Sequence, residues 1–354
     1  MNIHDFAEIK RCNLKQIMDF TSTANPLGLS NKAKNAIRKG VKELSYPPDE
    51  KIRRLTNHIC KKEGIDSDNI TFGHDISHLL HVILQIFMPK TVLLCSPVSV
   101  AYEKIFHKYP FDIITVPATE NNSFKIDIEK IINCIQNVDM VVLPNPNNVT
   151  GEYLSEGNLE SLIREAERQD KLFVIDETYI EFIDSDLSSQ SFMESPKTII
   201  LRTFSVFHAL QGLPLAYGMA SKELIKKIDY NIKLPQVNTL AYLAALASLK
   251  DKGYRERTKN FINKEKQFIK EKTSKINCLD VFDTTCNFLL LKINQPLKDL
   301  KNLLMEKNIL VDIYTDNQEN LYIQVPVKNH KYNARFIKTL KYTVSRNIKE
   351  LEKV

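Results

Sequence analysis

No stretch of the chain reaches the roughly 18 consecutive apolar residues that a membrane span requires. The six cysteines (Cys12, Cys60, Cys95, Cys134, Cys278 and Cys286) include no C-x-x-C pair, so neither a zinc ribbon nor a dithiol redox motif is written here. The opening residues, Met-Asn-Ile-His-Asp, lack both a basic start followed by an apolar run and a small-residue cleavage site, the marks of a secretory signal. Together these absences lead us to expect reduced thiols and a cytoplasmic protein with no membrane partner. Cys95 and Cys134 sit in apolar runs and read as packing residues.

A concentrated basic patch with interleaved aromatics is also missing. Lys plus Arg number 49 against 43 Asp plus Glu, a surplus of six that is scattered rather than blocked. The Lys264–Lys275 stretch alternates charge with apolar residues, as a solvated helix face does. No nucleic-acid partner is expected. Internal repeats and low-complexity linkers are absent too.

What is present is ordinary soluble composition, 43% hydrophobic and 26% charged over 354 residues. That length suits two domains. Between about residues 70 and 220, short β-branched runs alternate with amphipathic segments. The runs are Ile70–Gly73, Thr91–Cys95, Asp112–Val116, Asp139–Leu143, Lys171–Ile175, Thr198–Thr203 and Leu215–Ala220. Helical patterns fall at Ile76–Phe87, Val100–Lys108, Ile126–Ile135 and Leu159–Gln169. Strands apolar throughout and separated by helices predict an α/β domain with a mainly parallel seven-stranded sheet covered on both faces. Beyond about residue 235, a long Lys/Glu-rich helical stretch (Thr239–Lys275) leads into two or three strands with flanking helices, a small α+β domain. In parallel sheets the ligand crevice lies past the carboxyl ends of the strands. The residues there are Gly73-His74-Asp75, Ser96-Pro97, Asn145-Pro146-Asn147-Asn148, Asp176-Glu177 and Thr203-Phe204-Ser205.

Six motifs run in a fixed order: Asn25-Pro26-Leu27-Gly28, Tyr46-Pro47-Pro48, Asn145 through Gly151, Ile175-Asp176-Glu177-Thr178-Tyr179, Arg202-Thr203-Phe204-Ser205 followed by Gly212-Leu213, and Asn287-Phe288. In that order they resemble the fold-type I pyridoxal-phosphate aminotransferases over nearly the whole chain. The resemblance is strongest to the branch with histidinol-phosphate aminotransferase and threonine-phosphate decarboxylase. It implies an arm at 1–35 that joins the small domain, a large domain at 36–235 and a small domain at 236–354. It also implies that Asp176 pairs with the pyridine nitrogen of the cofactor, that Asn148 and Tyr179 donate to the ring's 3-oxygen, and that Thr203 and Ser205 line the cofactor site. Tyr46 would reach the phosphate across a homodimer interface, and Asn25 would line the substrate side.

The resemblance breaks where the family carries the lysine that binds its cofactor. That position is Val206, and no lysine lies between Lys197 and Lys222. A branched alkyl group is neither nucleophile nor base, and losing a general base alone costs about 10²–10⁴ in rate. The family's Gly-Leu-Arg is here Gly212-Leu213-Pro214, its ring-stacking aromatic falls on Ser99, and its carboxylate-clasping arginine falls on Gln324. Asp75 falls in the phosphate turn, where a carboxylate repels an anion unless paired. A buried Asp176 is costly unless it bonds neighbouring amides, a histidine, or an N–H-bearing ligand.

Three other candidates weigh less. His74, His78 and His81 have helical spacing that resembles a metal set, although His81 lies in an apolar run; no metal is expected. His208 is out of register with the missing lysine, and Ser205 has no His/Asp partner in sequence. The expectation is therefore a catalytically degenerate aminotransferase-like protein, without an assigned catalytic residue, that binds a small ligand or a partner subunit. Pyridoxal phosphate, if kept at all, would be held non-covalently. A homodimer, or a heterodimer with an active paralogue, fits the family. The alternative is an enzyme that uses untethered pyridoxal phosphate on a small amino acid phosphate, or a repurposed reaction in the same pocket.

Overall fold

In the computed structural model, which describes residues 2–49, 52–183, 189–193, 195–232, 237–294, 300–315 and 320–351, the chain divides into two compact units. One comprises residues 28–255 and the other residues 1–27 with 256–354. Strand β1 (Met18–Phe20) belongs to the second. The first carries β2 (Ile70–Gly73), β3 (Thr91–Ser96), β4 (Asp112–Pro117), β5 (Met140–Pro144), β6 (Leu172–Asp176), β7 (Thr198–Thr203) and β8 (Ala216–Ala220).

These seven form one sheet in the order β2-β8-β7-β6-β5-β3-β4. All pairings are parallel except those of β8, which runs antiparallel to both its neighbours. Every residue of β5, β6 and β8 is buried, as a sheet clothed on both faces requires. The helix Ile76–Phe87 shows why the alternation works. Asp75 caps its start, and Leu79, Leu80, Ile83 and Leu84 bury one stripe against Val92, Val142, Val174 and Leu201 of the sheet. Helices Ile128–Ile135 and Glu156–Arg168 start at the side-chain caps of Asp127 and Ser155. The expected mixed α/β architecture with its seven-stranded, mostly parallel sheet is the one observed.

The second unit holds β9 (Leu279–Phe282), β10 (Phe288–Ile293), β11 (Ile309–Thr315) and β12 (Leu321–Pro326). With β1 they form a five-stranded sheet, β1-β11-β12-β10-β9, in which only β1 and β11 are parallel. Two of the five went unread in the sequence. β1 is three residues long, and only Leu279 of β9 is buried, so neither shows a usable hydrophobic period. Thr239–Lys275 is two helices, Thr239–Leu249 and Lys252–Thr273, separated by a turn in which the Asp251 N–H donates to the Ser248 carbonyl.

Unit boundaries fall away from the breaks read at 35 and 235. Helix Asn31–Gly40 packs along helix Thr239–Leu249, with Gly40 so close that an added Cβ would lie 2.5 Å from Leu243. That pairing keeps both helices with the seven-stranded sheet. Among the described residues no helix is long and apolar enough to cross a membrane.

Candidate functional site

Strand β6 ends on Asp176, whose side chain is 3% exposed. Its Oδ2 accepts from the Tyr102 hydroxyl at 2.6 Å, and its Oδ1 accepts from the Thr178 N–H at 2.8 Å and the Thr178 hydroxyl at 2.5 Å. Burial raises the carboxyl above its ordinary range, and these three hydrogen bonds offset part of that rise. The donors are thus an amide and two hydroxyls, not a histidine. Tyr102 is the residue that sequence reasoning missed. It closes the Pro97-Val98-Ser99-Val100-Ala101-Tyr102 segment, and the third position of a helix (Val100–Phe106) aims it at the strand end. Beside it, Glu177 and Glu63 both pair with buried Arg202, at 2.7 and 2.8 Å.

The loop after β5 holds itself in place. Asn145 Oδ1 accepts from the Leu154 N–H, and Asn147 Oδ1 accepts from both the Val149 and Thr150 amides at 2.9 Å. Asn147 Nδ2 donates to the Pro97 carbonyl, so the loops after β3 and β5 are stitched together. Ser96-Pro97 and Asn145-Pro146 are both cis peptides. Asn148 faces Ser99, accepting from its N–H at 3.0 Å and donating to its hydroxyl at 3.3 Å. Tyr179 is buried next to the Phe182 ring.

After β7, the Thr203 hydroxyl donates to the Leu215 carbonyl and its oxygen accepts from the Ser205 N–H. Val206 is 8% exposed. His208 is buried, its ring packed against Phe204 and Tyr254, and burial lowers its pKa. Among the described residues its Nδ1 has no hydrogen-bond partner.

Elsewhere, Asp75 takes the ordinary role of a helix N-cap: its Oδ1 accepts the His78 N–H at 2.7 Å. Its place there has a structural reason that the sequence reading did not include. His74 pairs with Asp75, and His81 meets the Tyr109 hydroxyl. Among the described residues no group of three or more His, Cys, Asp or Glu is placed to hold a metal ion. Tyr46 is 72% exposed, on the segment that also exposes Val41 and Leu44. Asn25 and Gln324 belong to the other unit. There Asn25 is buried, donating to the Thr258 hydroxyl at 2.8 Å and accepting from the Leu27 N–H, and Gln324 is buried on β12.

Residues 15–340 match the sequence profile of the family described as aminotransferase class I and II. The chain is 30% identical over 347 residues to histidinol-phosphate aminotransferase 2 of Carboxydothermus hydrogenoformans, covering 94% of this chain and 93% of that one. It is 29% identical over 326 residues to a provisionally named threonine-phosphate decarboxylase of Caldanaerobacter subterraneus, covering 90% and 88%. Its fold superimposes on histidinol-phosphate aminotransferase from Sinorhizobium meliloti in complex with pyridoxal-5'-phosphate with a TM-score of 0.87, at 18% identity, over 99% and 95% of the two chains. At that identity the likeness speaks for the fold.

Pyridoxal phosphate is the cofactor of that family. The residues present here fit it at one end only. A carboxylate offers about four lone-pair sites, so Asp176 keeps room for one donor beyond its three. At the other end Val206 offers no amine, the one proton of the Thr203 hydroxyl is committed to Leu215, and Pro214 supplies neither charge nor N–H. The arrangement does not fit a tethered cofactor.

Proposed function

The chain belongs to the class I and II aminotransferases, and we propose that within them it is a catalytically degenerate member that keeps the scaffold but does not transaminate. One observation carries this reading: the position of the family's cofactor-binding lysine is a buried valine, Val206, with no lysine between Lys197 and Lys222. Desolvated hydrocarbon at the crevice floor can neither hold an aldehyde nor move a proton. The commitment of Thr203 and the absence of an arginine at Pro214 support the reading independently.

In its place the crevice serves as a binding site for a small ligand or as the half-site of a dimer, with Asp176, Asn148, Tyr179, Thr203 and Ser205 lining it. The exposed apolar segment Val41, Leu44 and Tyr46 supports a dimer interface, either with a second copy or with an active paralogue that a subunit carrying Tyr46 completes. Six free cysteines support a reducing, cytoplasmic location.

The test is the absorbance of protein purified from cells supplied with pyridoxine. We expect no visible band; a band that borohydride abolishes would overturn the proposal. Equilibrium dialysis against pyridoxal phosphate separates ligand loss from untethered use: micromolar retention that Asp176→Asn abolishes would favour the enzyme with a non-covalent cofactor.

A further inference from the structure

Residues 31–62, all in the unit that carries the seven-stranded sheet, hold ten Lys and Arg against three Asp and Glu, a surplus of seven where the whole chain has six. Charge that reads as scattered along the sequence is set by the fold on the outer faces of two helices. Asn31–Gly40 buries Ala33 and Gly40 and exposes Lys34, Arg38 and Lys39. Arg53–Glu63 buries Leu55, Thr56 and Ile59 and exposes Arg53, Arg54 and Lys61. At 3.6 residues per turn these cations point away from the buried stripes. Both helices pack on Thr239–Leu249, and Lys32 Nζ donates to the Lys250 carbonyl just past its end, at 2.7 Å.

The cations are left without acids. Among the described residues Lys34, Arg38, Lys39, Lys42, Arg53 and Arg54 form no ion pair, whereas Lys266 and Lys270 of the other unit meet Asp283 at 2.7 and 3.0 Å. Their field reaches His58, whose pKa is lowered by burial first and then by Lys250, Lys62 and Lys61. Between the two helices the chain turns hydrocarbon outward. Val41 is 55% exposed, Leu44 53% and Tyr46 72%, so six consecutive residues hold three of the ten large hydrophobic side chains exposed among the described residues. An apolar centre with a charged rim is the anatomy of a protein interface.

We propose that this face docks an acidic, amphipathic segment of a partner protein, with apolar side chains on Val41, Leu44 and Tyr46 and carboxylates on the flanking cations. This names the chemistry of the partner, and it rests on the segment 41–46 being an interface. A second copy related by a two-fold axis through this face would set like charges against one another. Nucleic acid is held by phosphate contacts and stacked aromatics, and Tyr46 is the only Phe, Tyr or Trp in residues 31–62.

Fluorescence anisotropy tests this with the whole protein and a fluorescein-labelled helical peptide, leucines on one face and glutamates on the other. The peptide should bind about tenfold or more tighter than its counterpart with lysines for glutamates, and should weaken about tenfold between about 50 and about 300 mM salt. Arg38→Glu combined with Arg54→Glu should weaken binding about tenfold. Leu44→Ser should also weaken it, whereas Lys338→Glu, exposed in the other unit, should not. Equal affinity for the lysine peptide, binding indifferent to the double charge reversal, or displacement by duplex DNA at lower concentration would each overturn the proposal. So would a dimer in sedimentation velocity that Leu44→Ser splits, which would leave the segment an interface with a second copy as its occupant. Unaltered binding and mass in every variant would mean that the segment is no interface at all.

Discussion

The Tyr102 hydroxyl donates to Asp176 Oδ2 at 2.6 Å, and both partners are buried where β6 ends. This bond joins the helix after β3 to the end of strand β6. Tyr102 also belongs to the core, its ring packing against Phe106.

Tyr102→Phe keeps the ring and removes that donor. A hydrogen bond to an ionisable partner is worth about 1.5–3 kcal/mol, so the variant should lose stability of that order. Urea denaturation measures it. A loss below about 0.5 kcal/mol would mean that the bond is not formed in solution.

Asp176 should make stability fall as pH rises through the acid range. Burial raises its folded value above the ordinary one, with the bonds from Thr178 and Tyr102 offsetting part of the rise. The native state therefore holds the proton to higher pH than the unfolded chain does. This contribution is fully present below the ordinary carboxyl range and is lost as pH climbs through the raised value. Asp176→Asn has no such dependence. The stability difference, wild type minus variant, should shrink from about pH 4 upward; a difference that grows with pH would contradict the assignment.

Glu181 behaves in the opposite sense. Burial alone would raise its carboxyl, but Lys62 at 3.1 Å leads the charges that hold it down at about 2. Its stabilisation is present above the ordinary value of 4.5 and is lost as pH falls toward 2. Lys62 is 42% exposed, so water screens the pair. Lys62→Met should cost about 1–2 kcal/mol at pH 7 and progressively less below pH 4.5. Thermal denaturation across that range checks both the size and the trend.

Ala209, in the loop after Val206, has φ +56°, a left-handed conformation that costs a residue with a Cβ about 1–2 kcal/mol. Ala209→Gly relieves it but adds freedom to the unfolded chain, which takes back about 0.4–1 kcal/mol. A net gain of about 0.5 kcal/mol is expected from chemical denaturation. A loss of stability would show that the Ala209 methyl packs usefully.

The large sheet was legible because burial on both faces leaves continuous β-branched runs; Thr198–Thr203 and Ile76–Phe87 appear in the structure with the bounds read from sequence. The motifs around Asn145, Asp176 and Thr203 were legible for the same reason, since they mark the ends of β5, β6 and β7 or the turns after them. What stayed hidden depended on contacts distant in sequence. Tyr102 reaches Asp176 across 74 residues, and β1 exists only because β11 lies beside it. The capping role of Asp75 went unread because attention fell on its charge and not on its place before a helix. The reading of Val206 rests on the motif order in the sequence.

A chain with Val206 in place of a tethering lysine should not transaminate. The most direct measurement is the rate at which purified protein, mixed with pyridoxal phosphate and L-glutamate, generates pyridoxamine phosphate, compared with the same mixture lacking protein. Our account predicts equal rates, with Val206→Ala unchanged from wild type. A protein-dependent acceleration of a hundredfold or more, abolished by Asp176→Asn, would contradict it.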